Sequence, residues 1–173
     1  MNVQILYKGK YGATAQYAKW LGETFGTTAV AVTGNTATPL TGDIIVLGSS
    51  VYIGQLQLKS WLLQHESSLQ NRKVFLFIVS ATDVTLTEKW GEYVRNTFPN
   101  GAPSDWHLYF LPGRLNYKKL AFSDKLMLRI GAMLTRNKKA RREMLTDFDL
   151  VRRENLHPLV GDIKSRVSTG VEF

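Results

Sequence analysis

Five short apolar runs rich in branched side chains recur along the chain, at 3–7, 28–32, 43–47, 73–79 and 106–111. Runs of this length predict buried strands, because a strand covered on both faces needs no polar alternation. Between the runs the apolar period changes. Ala15, Ala18, Leu21, Gly22 and Phe25 share one helical face, as do Leu58, Trp61, Leu62 and Leu69, and then Leu86, Trp90, Tyr93, Val94 and Phe98; this spacing predicts three helices. Parallel neighbours need a crossover, and a helix is the usual one, so the alternation predicts an α/β fold with a parallel sheet covered on both faces. Ligands of such sheets sit beyond the carboxyl ends of the strands, which singles out the loops after strands one, three and four.

After the fifth run the pattern departs from strand and helix alternation. In "PGRLNYKKLAFSDKLMLRIGAMLTRNKKARREM", Leu126, Met127, Ile130, Met133 and Leu134 form an apolar stripe at helical spacing, with Ser123 placed to cap its start and Lys125, Arg129 and Arg136 on another face. This predicts a basic amphipathic helix inserted at about 112–145. A closing helix is expected from Thr146 or Asp147, with Pro158 kinking or splitting it. There is no internal repeat and no low-complexity tract.

Composition narrows the class. A chain of 173 residues with 44% hydrophobic content suits one domain, 1–173, with a real core. Cysteine is absent, which excludes disulfides, thiolate metal sites and a cysteine nucleophile and agrees with a reducing compartment. No signal-peptide pattern opens the chain, and no apolar run nears the roughly 18 residues of a membrane span. The expected location is cytoplasmic, with peripheral contact at the inner face of the membrane.

The net charge of +8 is concentrated: Arg114 to Arg142 holds ten basic residues (Arg114, Lys118, Lys119, Lys125, Arg129, Arg136, Lys138, Lys139, Arg141, Arg142) against a single acid, Asp124. Such a tract points to an anionic partner surface or forms a solvated helix face. An anionic membrane reached through Lys125, Arg129 and Arg136 is the expected partner. Nucleic acid is not, because the tract is a Met- and Leu-rich amphipathic helix without a nucleic-acid-binding motif. The same apolar stripe also fits packing on the domain itself. His65, His107 and His157 lie in separate elements without metal-like spacing, so no metal site is expected and each histidine reads as structural.

The three loops carry the candidate chemistry. In the first, Lys8, Gly9, Lys10, Tyr11, Gly12 and Ala13 lead into Thr14 at a helix start. Glycines let the backbone aim its amides at one point, the helix N-terminus adds partial positive charge, and the Thr14 hydroxyl can donate to a phosphate oxygen. Neither the Walker ending nor the three-glycine dinucleotide pattern is present, and an ordinary tight turn fits the same residues. The second loop, Gly48 to Gln57, offers Ser49, Ser50, Tyr52, Ile53 and Gly54. There a planar ring can stack on Tyr52 while backbone approaches it at Gly54, or Tyr52 caps the core and the serines begin the next helix. The third loop, Ser80, Ala81, Thr82, Asp83 and Val84, is small and polar. Together the loops suit a phosphorylated planar ligand, and no catalytic triad is expected.

The "KGKYGAT" that ends strand one, the "DIIVLGSSVYIGQ" that ends strand three and the five alternating units resemble the flavodoxin-like family, which binds flavin mononucleotide (FMN). Within it the chain more closely resembles the menaquinone-dependent protoporphyrinogen oxidase group and its flavodoxin-domain relatives, in the Gly-x-Thr first loop, the Tyr-x-Gly second loop, the inserted "PGRLNYKKLAFSDKLMLRIGAML" and a "TDF"-like start to the last helix. The resemblance implies a three-layer sandwich with strand order 2-1-3-4-5. It also implies that Gly9, Lys10, Tyr11, Gly12, Ala13 and Thr14 enclose the flavin phosphate. Ser49, Ser50, Tyr52, Ile53 and Gly54 would line one side of the ring, and Ser80, Ala81, Thr82 and Asp83 the other. The chain departs from the family where Gly9 replaces the usual serine or threonine and where the third loop lacks a stacking aromatic.

What the resemblance implies for function is an FMN-dependent oxidoreductase, of the type that oxidises protoporphyrinogen in heme biosynthesis and passes electrons to a quinone. Two alternatives stand beside it: an electron carrier docking on an acidic redox partner, and a membrane-surface binding module whose flavin site has decayed. Soluble flavodoxin carriers are typically acidic, and the basic balance of this chain argues against the same partners.

Overall fold

The structure, a computed structural model, describes residues 2–33, 38–134, 136, 138 and 145–168. Lys139, Arg141 and Arg142 of the basic tract lie outside the described residues. The order is β1 (Val3–Lys8), α1 (Ala13–Phe25), β2 (Val30–Ala31), β3 (Ile44–Tyr52), β4 (Gln55–Leu56), α2 (Lys59–Leu69), β5 (Lys73–Ser80), α3 (Thr87–Thr97), β6 (His107–Pro112), β7 (Arg114–Leu115), α4 (Phe122–Leu134), β8 (Phe148–Asp149) and α5 (His157–Ser168).

The central sheet runs β2-β1-β3-β5-β6, all parallel, which in terms of the five predicted runs is the order 2-1-3-4-5. Each strand alternates its side chains between two cores. Along β5, Val74, Leu76 and Ile78 join Trp61, Leu62, Leu69 and Trp90 from α2 and α3. Phe75, Phe77 and Val79 face the other way, toward Tyr17, Ala18 and Leu21 of α1 and Leu159 and Ile163 of α5. This is the α/β sandwich the periodicity predicts.

Four local expectations are corrected. The second strand pairs only at Leu6↔Val30 and Tyr7↔Ala31, since it is an exposed edge with a neighbour on one side alone. The second loop, read as Gly48 to Gln57, is mostly strand: β3 runs on through Tyr52, and Val51 and Tyr52 pair antiparallel with Leu56 and Gln55, closing a hairpin over Ile53 and Gly54. Ser123 is inside the first turn of α4, where the carbonyl of Ala121 instead accepts from the Asp124 and Lys125 amides. The closing helix begins at His157, not Thr146 or Asp147. Phe148 and Asp149 pair antiparallel with Leu115 and Arg114, and a 3-10 turn at Arg153–Leu156 precedes α5. Pro158 is the second residue of α5 and does not split it, because first-turn amides lack intrahelical partners in any case.

The insertion folds back over the carboxyl ends of the strands. The amide of Gly113 donates to the Ser80 carbonyl at 2.7 Å and that of Leu150 to the Gly113 carbonyl at 3.1 Å. The β7–β8 clip thereby fixes the base of the insertion beside the third loop. The docked face of α4 is Asp124, Leu128 and Ala132, while Leu126, Met127, Ile130, Met133 and Leu134 of the predicted stripe are exposed.

Candidate functional site

A cavity of about 330 Å³ opens at the carboxyl ends of β1, β3, β5 and β6, walled by all three loops and by the insertion. From the first loop come Lys10, Tyr11, Ala13 and Thr14; from the second Ser50, Tyr52 and Ile53, with Val51 and Gln57; from the third Ser80 and Ala81. The volume is within the range of small-molecule sites.

At the floor of the first loop, Gly12 occupies the N-cap of α1 with φ of 83° and supplies no side-chain cap. The first amides of the helix are therefore left without the usual hydroxyl or carboxylate acceptor. Beside them Thr14 is 1% exposed, and its Oγ1 is buried with no hydrogen-bond partner among the described residues. A buried hydroxyl without a partner costs stability, so its persistence next to uncapped amides marks a place for an acceptor that the chain itself does not provide. Gly9 explains how Thr14 fits: a Cβ at position 9 would meet Thr14 Cβ and Oγ1 at 2.7 Å. The departure of Gly9 from the serine or threonine of the resembling family is thus tied to where Thr14 packs. Gly9 and Gly12 shape the loop without lining the cavity.

The second loop divides by role. Ser49 is buried, donates to the Ser50 carbonyl and accepts from the Leu58 amide at 3.1 Å, so its hydroxyl is committed to joining β3 to α2 and does not line the cavity. Ile53 and Gly54 form a two-residue hairpin turn with φ of 50° and 71°. Positive φ is strained for a β-branched residue, and Asn96 Nδ2 secures the turn by donating to the Gly54 carbonyl at 2.8 Å. The strain holds an exposed isoleucine at the cavity rim. In the third loop, Thr82 is bonded to Ser80 and to Tyr93, and Asp83 Oδ1 accepts from the Thr85 amide at 2.9 Å and hydroxyl at 2.8 Å. Both stabilise the loop, and neither lines the cavity.

The insertion supplies walls whose place at the site the sequence does not announce: Gly113, Arg114 and Leu115 on one side, Leu120, Asp124, Met127 and Leu128 on another. Asp124 matters most. Its side chain is 7% exposed and its Oδ2 accepts from Lys10 Nζ at 2.7 Å and from the Tyr11 hydroxyl. Its Oδ1 accepts from the Tyr52 hydroxyl at 2.8 Å. Burial pushes the carboxyl pKa up, but the bonds from Lys10, Tyr11 and Tyr52 outweigh burial and hold it at about 2. The bond to Asp124 raises the Lys10 ammonium well above its ordinary range, and burial, followed by the same carboxylate, raises the Tyr11 phenol. A lone acid in a tract of ten bases is the signal that could have found Asp124. Reading it only as an offset to net charge misses it.

Further from the cavity, His65 stacks on Trp61 and His107 on Phe75, and His107 also bridges to Asp162 at 3.1 Å. Among the described residues no group of three metal-ligating side chains gathers, and no helix is long and apolar enough to cross a membrane.

Solved structures with a similar arrangement include a proposed flavoprotein of Bacteroides uniformis (12% identity, 65% of this chain and 90% of that one, TM-score 0.47). Another is a proposed flavoprotein of Bacteroides eggerthii (14%, 64% and 87%, 0.46), and a third is a flavodoxin, WrbA-like protein of Agrobacterium tumefaciens (14%, 83% and 98%, 0.48). No curated protein matches the chain. The sequence profile of the flavodoxin domain does match it, over residues 4–142. With the strand order and the loop-walled cavity at the sheet edge, that match over most of its length places the chain in the flavodoxin domain family, for which a flavin, commonly FMN, is the implied cofactor.

Proposed function

We propose that the protein is an FMN-dependent oxidoreductase. The observation that carries this reading is the buried, unpartnered Thr14 hydroxyl beside the uncapped start of α1, at the floor of a cavity walled by the three loops of one sheet edge. Thr14 and the adjoining amides would hold the phosphate. Tyr52 and Ile53 would face one side of the ring, and Ser80 and Ala81 the other. A bound flavin supplies the exchange of electrons; the protein's part is to orient the ring and exclude water from it. Met127, Leu128 and Leu120 make the insertion side of the cavity apolar, which suits the second task.

The finer reading, oxidation of protoporphyrinogen with a quinone as acceptor, is supported by the Gly-x-Thr and Tyr-x-Gly loops and by the inserted segment. The outer face of α4 supports peripheral contact with an anionic membrane. Phe122, Met133 and Leu134 are 82%, 74% and 79% exposed, next to Lys125 and Arg129 on the same helix, with Arg136 also exposed just beyond it. Apolar side chains rimmed by cations fit a lipid headgroup boundary.

The deciding experiment is the visible spectrum of the purified protein titrated with FMN. Two flavin bands shifted from those of free FMN are expected. An unshifted spectrum at saturating FMN overturns the flavin reading. If FMN binds, turnover of protoporphyrinogen with a quinone tests the finer one, and reduction of the flavin without such turnover leaves an electron carrier.

A further inference from the structure

The donors that the first two loops hold out toward an anion are already engaged, and what engages them comes from outside those loops. Lys10 and Tyr11 stand just before Thr14 in the same loop, and Tyr52 at the end of β3 accepts from Lys10 Nζ at 3.3 Å. All three converge on the two oxygens of Asp124, which α4 carries in its first turn. The Tyr11 hydroxyl also accepts from the Ala121 amide at 3.3 Å, so the contact fixes the start of α4 as well as one side chain. Thr14 lines the same cavity, and its buried Oγ1 has no partner among the described residues. The anion cradle therefore has two parts, one filled by the chain's own carboxylate and one not filled by any described group.

We propose that Asp124 is a carboxylate latch: it stands in for an anionic ligand at Lys10 and Tyr11, holds the Tyr52 hydroxyl as well, and α4 stays closed over the cavity until a phosphate monoester competes for Lys10 and Tyr11. The inference rests on the flavin reading for the identity of that monoester. Its basis is charge and competition. A phosphate at Thr14 brings negative charge into a cavity that already holds a buried carboxylate, and like charges in such a setting repel. Lys10 and Tyr11, which Asp124 occupies, stand in the same loop as Thr14 and are also donors the phosphate would recruit, while release of Tyr52 frees its ring to face the flavin. Apart from Asp124, the docked side of α4 offers only Leu128 and Ala132, with Met127 at the cavity wall, while Leu126, Ile130, Met133 and Leu134 are exposed. A ligand whose competent state is only partly populated binds with an apparent affinity reduced by that fraction.

Asp124→Asn, which keeps the shape and removes the charge, is compared with the unaltered chain for binding of FMN and of riboflavin, which lacks the phosphate. Riboflavin controls for any loosening of the cavity wall. The ratio of FMN to riboflavin affinity should rise about tenfold in D124N. An unchanged or lower ratio, in a protein that does bind FMN, overturns the latch and leaves the flavin reading standing. If neither protein binds either flavin, the flavin reading fails, and inorganic phosphate decides the latch. Phosphate should then raise the melting temperature of D124N more than that of the unaltered chain, and an equal response overturns it. A further measurement needs no variant: tryptic cleavage after Lys125 and Arg129 in α4 should accelerate when the unaltered chain is saturated with FMN or, if FMN does not bind, with inorganic phosphate. Unchanged or slower cleavage counts against displacement of α4 and overturns the latch.

Discussion

Helices α1 and α4 are each 13 residues long, each carries an apolar stripe, and each begins beside the same cavity. Their fates differ. The stripe of α1 is buried at Tyr17, Ala18 and Leu21 against the sheet, and its polar start is left uncapped. In α4 the arrangement is inverted: the apolar stripe stays outside, and a carboxylate is the group that enters the protein. A hydrophobic stripe identifies a face that resists water, but the partner of that face depends on what else competes for the same surface. Strands β1 and β3 already lie under one face of α1. The place beside α4 is a cavity edged by Lys10, Tyr11 and Tyr52, and their three directed hydrogen bonds to Asp124 hold that face of the helix inward.

The contrast predicts its largest effect in the core. Leu21→Ala should lower stability by about 3 kcal/mol, the cost of deleting a buried side chain and leaving a cavity. Leu134→Ala on the exposed stripe should change it by no more than about 0.5 kcal/mol. Urea unfolding of the two variants makes the comparison. Equal losses would mean that the stripe of α4 is packed as α1's is, which would break the contrast.

If the outer face of α4 meets lipid, its cations act together. Replacing Lys125, Arg129 and Arg136 with glutamate should weaken partition onto phosphatidylserine-containing vesicles by at least about 3 kcal/mol, on the order of 1 kcal/mol for each charge removed. Cosedimentation reads this directly. Retained binding by the triple variant would remove the lipid-facing role and leave α4 with its inward role alone.

At the cavity floor the expected effect is smaller and has two signs. Thr14→Val keeps the shape and removes the hydroxyl. FMN affinity should fall about tenfold, the loss of one hydrogen bond to a charged group. The flavin-free protein should instead gain up to about 1 kcal/mol, because a buried donor with no partner is removed. Fluorescence titration and urea unfolding measure the two. A variant destabilised without flavin would show that the Thr14 hydroxyl has a structural partner after all.

How far this could be read from sequence follows from how local each feature is. Strands β1, β3, β5 and β6 were legible as unbroken branched runs, because both faces of each are covered. Lys10, Thr14, Ser50, Tyr52 and Ser80 line one cavity because loops after parallel strands open on one edge, and topology alone ensures that. Features set by the return path of the insertion were not legible. The pairing of Arg114 and Leu115 with Phe148 and Asp149 is two residues long and has no alternating pattern to announce it. Asp124 reads as an exposed acid in a basic helix until the helix is known to lie across Lys10, Tyr11 and Tyr52. Ser49 shows the opposite error: a hydroxyl in the right loop is turned inward, to the Leu58 amide, by the register of β3.

The most conditional expected effect is on the acid side of the stability curve, since it appears only at low pH. Asp124 is held at about 2 against an ordinary 3.8, since the bonds from Lys10, Tyr11 and Tyr52 outweigh the opposing effect of burial. A carboxyl depressed in the folded state contributes stability that is fully present above its unfolded pKa and is lost as pH falls through the folded one. The contribution should therefore be intact above pH about 4 and fade toward pH about 2. Asp162 is also depressed: burial pushes its carboxyl up, but Tyr109 and Arg166 more than offset that. It belongs to the same acid limb but sits on α5, far from the latch. Subtracting the melting curve of D124N from that of the unaltered chain at each pH isolates the α4 term, because Asp162 is common to both. A difference that is constant above pH about 4 and shrinks below it is the expected result. A pH-independent difference would show that Asp124 holds α4 by shape rather than by charge, and the inversion between the two helices would then need another cause.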